Sequence, residues 1–69
     1  MSIDPGMTPV EVLRLALEKE KEAQAFYTEA AEICHHPATR ATLLEMAAEE
    51  RRHIQRIEED LDRYFYQDN

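Results

Sequence analysis

Cys34 is the only cysteine of the chain, so neither an intrachain disulfide nor a Cys-x-x-Cys metal knuckle can hold it together. Tryptophan is absent, Gly6 is the single glycine, and no apolar run reaches the length of a membrane-spanning helix or a signal-peptide core. Positive charge is scarce too. Eight Lys+Arg stand against fifteen Asp+Glu, and the net charge of −7 repels nucleic acid and anionic membranes while attracting cations. The expected setting is the cytoplasm, without nucleic-acid or membrane partners. What remains is 69 residues of helix-forming composition, a third of them charged. One small all-α domain follows, and it is short of core, because chains of this size recruit disulfides, a metal or copies of themselves.

Residues 1–7 contain Pro5-Gly6 and no periodic pattern, which reads as a flexible N-terminal lead, with Met7 as an alternative start. Thr8-Pro9-Val10-Glu11 combines an N-cap threonine, proline at the first helical position and a glutamate three residues after the cap. Helix 1 is predicted over about 8–34. Its stripe of Val10, Leu13, Leu17, Glu20, Gln24, Tyr27, Ala31 and Cys34 recurs in steps of three and four, widened by Phe26, Ala30 and Ile33. Pro37 ends that helix and suits the first position of the next, predicted over about 37–66 with residues 67–69 as a tail. The second stripe is Leu43, Ala47, Glu50, Ile54, Ile57, Leu61 and Tyr64, with Met46 and His53 on the neighbouring row.

Two carboxylates therefore interrupt apolar stripes, and an ionised carboxylate out of water costs several kcal/mol or more unless a cation, proton or partner charge meets it. Glu50-Arg51-Arg52-His53 adds an imidazole one turn beyond the second of them. In an antiparallel hairpin, residues facing each other have numbers whose mean falls at the turn. Glu20 averages 35 with Glu50 and 36.5 with His53, and both values land in His35-His36-Pro37. The three side chains should share one height, which is the arrangement of a metal site.

Two carboxylates and one imidazole are an incomplete shell. If two hairpins pack about a two-fold axis, the resulting four-helix bundle holds a Glu from each of two helices and a Glu-x-x-His from each of the other two, the ligand set of di-iron and di-manganese carboxylate bundles. Hard, bridging carboxylates suit iron, and manganese or zinc are its substitutes in a purified protein.

Glu20 followed by Tyr27, then Glu50-x-x-His53 on the next helix, resembles the first half of the ferritin-like superfamily. The stretches Glu18-Lys19-Glu20-Lys21-Glu22 to Phe26-Tyr27 and Ala47-Ala48-Glu49-Glu50-Arg51-Arg52-His53 look like rubrerythrins, over roughly residues 8 to 66. The resemblance implies a di-iron centre with Glu20, Glu50 and His53 as metal ligands, the same three and Tyr27 as the catalytic residues, Tyr27 lying close to the centre in support of the ligands, and oxidation of Fe(II) for storage or detoxification. Ferritins and rubrerythrins carry four helices per chain. This one carries two, so it is more similar to encapsulated ferritins, two-helix chains that build the centre at a dimer interface. Their usual closing helix and targeting peptide for an encapsulating shell have no counterpart before Asn69, and the rubredoxin module of full rubrerythrins is missing.

A different class of function stays open: a non-catalytic helical interaction module in which buried carboxylates set the register with a partner helix. Lesser features have plainer readings. Glu22, Glu45 and Glu49 read as a solvated face that could pass cations inward. Cys34-His35-His36 reads as loop rather than zinc site, with Cys34 buried at the end of the seam, and Tyr64-Phe65-Tyr66 as packing for a neighbouring subunit.

Overall fold

The computed structural model describes residues 3–67, with side chains as far as Tyr64. Met1, Ser2, most of the expected tail, and the Phe65 and Tyr66 side chains of the aromatic cluster lie outside the described residues. Two helices, α1 (Pro9–Ile33) and α2 (Pro37–Gln67), form an antiparallel hairpin. The expected ends of helix 1 are its caps. Thr8 is extended at φ −73°, ψ 161°, and its hydroxyl accepts from the Glu11 N–H at 3.2 Å while Glu11 Oε1 accepts from the Thr8 N–H at 3.0 Å. Cys34, at φ −88° and ψ 119°, leaves the helix while its N–H still donates to the Ala30 carbonyl at 3.0 Å.

Replacing Thr8 by alanine removes one half of that reciprocal cap and lowers stability by about 1 kcal/mol. A lower urea midpoint at constant m-value is the expected result, and an unmoved midpoint would show the cap to be idle. The Thr8 N–H, then its hydroxyl, hold the Glu11 carboxyl below its ordinary value of 4.5. A lowered native pKa contributes stability above the unfolded value and loses it as the pH falls through the native one, so this part of the cap fails only in acid.

Three residues, Cys34 to His36, turn the chain. His36 caps α2: the Thr39 N–H donates to its Nδ1 at 3.3 Å, and the Arg40 N–H to its carbonyl at 2.9 Å. Pro37 then occupies the first helical position, where no N–H is needed.

The hairpin measures 49 × 25 × 12 Å, and its smallest extent is the diameter of one helix with side chains. A single layer has nothing to close over its apolar face. Among the described residues only Ala31 and Ala47 are buried. Phe26 is 63% exposed and Ile33 78%, so these two members of the widened stripe are not covered by α2, and Cys34 is half-buried rather than buried. A compact monomer of 8.1 kDa exposes roughly 4,500 Å². This chain exposes 5500 Å². The excess of roughly 1,000 Å² is comparable to the share of about 800 Å² that one partner contributes to a stable interface. No helix among the described residues is long and apolar enough to cross a membrane.

Candidate metal centre

Near the middle of the hairpin α1 contributes Glu20, and α2 contributes Glu50 and, one turn later, His53. Their placement follows from local rules. The i,i+3 step puts Glu50 and His53 on one face of α2, and the register set by the three-residue turn lifts Glu20 to the same height. His53 Nδ1 lies 3.3 Å from Glu20 Oε2, across a separation of 33 residues, and 3.6 Å from Glu50 Oε2. One donor atom from each residue lies within 4.8 Å of the others, and among the described residues this is the one such group of three.

Burial divides the three unequally. The His53 side chain is 55% exposed, that of Glu20 is half-buried, and that of Glu50 is 16% exposed. Glu50 Oε2 is shielded from solvent and has no hydrogen-bond partner. His53 Nδ1, at 3.6 Å, stands just too far away for a good bond. A buried carboxylate oxygen left unsatisfied costs about 1–3 kcal/mol, more when charged, and such an atom calls for a specific explanation. A cation placed among the three donors would remove that cost. The donor set, two hard carboxylates and one imidazole with no thiolate, suits iron or manganese better than a structural zinc. It also leaves any single ion short of ligands.

Tyr27 follows Glu20 on the same helix. It sits two turns along α1 from Glu20, about 10 Å by helical rise, half-buried and packed edge-to-face against Phe26 with ring centroids 5.5 Å apart. Among the described residues no hydrogen bond links its hydroxyl to Glu20, Glu50 or His53. Cys34 and His36 serve the turn: the thiol approaches the His36 carbonyl at 3.8 Å, and the His36 ring is engaged by Thr39. Glu22 pairs with Lys19 at 3.5 Å on the exposed surface, where Glu45 and Glu49 also lie. The orphaned oxygen of Glu50 is the feature that sequence reasoning missed. Its only sequence signal is the glutamate within an apolar stripe, which does not say which oxygen is unpartnered.

A family model described as rubrerythrin matches residues 11–69, which takes in α1 from its third residue, all of α2 and all three clustered side chains. No curated protein and no solved structure matches.

Proposed function

The chain belongs to the rubrerythrin family of the ferritin-like superfamily, and we propose that it is a half-ferritin whose second copy completes a di-iron carboxylate centre that oxidises Fe(II). The observation that carries this reading is the buried, unpartnered Glu50 Oε2 facing Glu20 and His53. Family membership supports iron as the metal. The position of the cluster supports a shared site. Helix α1 has its midpoint at residue 21 and α2 at residue 52, so Glu20, Glu50 and His53 straddle the centre of both helices. A two-fold axis drawn through the cluster, perpendicular to the helices, overlaps the two hairpins along their whole length. Any other height leaves helix ends unpaired and buries less apolar surface.

In this reading Glu20 and Glu50 supply anionic oxygens that offset the charge of the ions, and the neutral His53 Nδ1 completes the donor set of each chain. Bound iron supplies reversible one-electron chemistry towards O₂ or peroxide. The chain's own contribution is to hold the three donors level, to keep Glu50 out of water, and, through a net charge of −7, to concentrate Fe(II) as substrate. Tyr27 acts on the site from a distance, by packing on the same helix face as Glu20.

The roughly 1,000 Å² of excess surface also favours the competing reading, a helical dimerisation module that carries no metal. Anaerobic Fe(II) titration followed by admission of air separates the two, with molar mass recorded on the same sample. Saturation at one iron per chain, two per dimer, with prompt oxidation is the expected result. A dimer without saturable iron, whose mass ignores chelators, would leave only the interaction module.

A further inference from the structure

The N-terminal lead is folded onto α1. Asp4 Oδ1 accepts from the Gly6 N–H at 2.8 Å, and the Asp4 carbonyl accepts from the Met7 N–H at 3.0 Å. This turn sets Ile3 and Met7 beside Val12, Leu15 and Ala16, and together they frame an apolar cleft of about 250 Å³ that ends at Glu20. At the other end of α1, Phe26 and Ile33 stand exposed on either side of Ala30 and, with Glu29, line an open pocket that the hairpin does not cover. The cleft and the exposed Phe26 and Ile33 lie on one side of the helix. Val12, Ala16 and Lys19 continue as Ala23, Phe26, Ala30 and Ile33 in strictly alternating steps of four and three, a second heptad seam beside the one that faces α2.

We infer that this seam is the contact between α1 and the α1 of a second copy, antiparallel, with the exposed Phe26 of each chain seated in the other's cleft. The inference rests on the shared-site reading for the height of the two-fold axis. An axis at residue 21 pairs positions whose numbers sum to 42, and the seam then maps onto itself. Phe26 lies over the partner's Ala16, Val12 over the partner's Ala30, and Lys19 over the partner's Ala23 beside the partner's Glu22. Phe26, Val12 and Lys19 each meet an alanine. Ile33 falls level with the partner's Pro9, against the wall that Met7 and Ile3 build. A heptad permits other registers only at shifts of seven in this sum, and those carry Glu20 away from its counterpart by about 10 Å. The N-terminal lead thus acts as a clasp, and the occupant is a second copy because the excess surface is of the size that such an interface buries.

The test is a disulfide across the seam. Val12→Cys with Ala30→Cys, on a Cys34→Ser background, places two thiols about 27 Å apart within a chain, too far to bridge, yet opposite each other across the two-fold. Mild oxidation should convert this variant to a covalent dimer, while Val12→Cys with Ala23→Cys should not cross-link. Phe26→Ala, with native helicity, should raise the dimer dissociation constant about thirtyfold or more. Iron per chain and molar mass are measured on the same variants before oxidation. A dimer binding one iron per chain that fails to cross-link, or that links through position 23, overturns the seam and leaves the shared centre standing. A covalent dimer without saturable iron upholds the seam and overturns the centre. A monomer without iron overturns both.

Discussion

Replacing Glu50 by leucine should abolish saturable iron binding and at the same time stabilise the metal-free protein. The two effects have one cause. Glu50 Oε2 is shielded from solvent without a hydrogen-bond partner, so in the absence of a cation the carboxylate is a net cost. Leucine nearly matches the volume of the side chain and brings no charge. The 3.6 Å approach of His53 Nδ1 offsets little of the loss, since the imidazole is more than half in solvent and such exposed pairs are worth at most about 1 kcal/mol. Removal of the unsatisfied oxygen is worth about 1–3 kcal/mol, and each kcal/mol moves the midpoint of a domain this small by about 4–8 °C. Thermal scans with and without chelator, beside an iron titration of the same variant, give both readings. Iron content equal to the parent chain's would remove Glu50 from the ligand set. A metal-free variant less stable than the parent would show that the carboxylate is already satisfied.

The melting temperature should rise with protein concentration and rise again with iron. A layer 12 Å thick that buries only Ala31 and Ala47 among its described residues has too little core to stand alone. In the proposed dimer, folding is tied to association. A hundredfold increase in concentration contributes about 2.7 kcal/mol per mole of dimer, which corresponds to roughly 10 °C for two chains of this length. Iron at about a hundred times its dissociation constant adds a further 2.7 kcal/mol or so per site by mass action. A midpoint independent of concentration would mean that the hairpin is stable by itself, against the surface accounting. A midpoint that follows concentration but ignores iron and chelator would leave the dimer and remove the metal from its interface.

Both results follow from the proposed division of the site between two chains. Each hairpin holds three donors and one uncompensated oxygen, and neither feature is relieved within one chain. The same economy applies to the N-terminal residues. They read as a lead without structure, because Pro5-Gly6 breaks any periodic pattern, yet the Asp4 turn folds them against α1, where they form one wall of a cleft.

The sequence by itself determined the elements and their register. Thr8-Pro9-Val10-Glu11 carries its own hydrogen-bond partners within one turn, so the start of α1 needs nothing distant to define it. Pro37 does the same for α2. With a three-residue turn the register of an antiparallel hairpin is arithmetic, which is why the numbers of Glu20, Glu50 and His53 alone set them level. The tertiary structure alone decided burial and satisfaction. Which carboxylate oxygen is left without a partner, and that α2 leaves Phe26 and Ile33 uncovered, both depend on which side chains close over a given atom. A stripe of alternating threes and fours records which residues share a helix face, but only packing shows what that face meets.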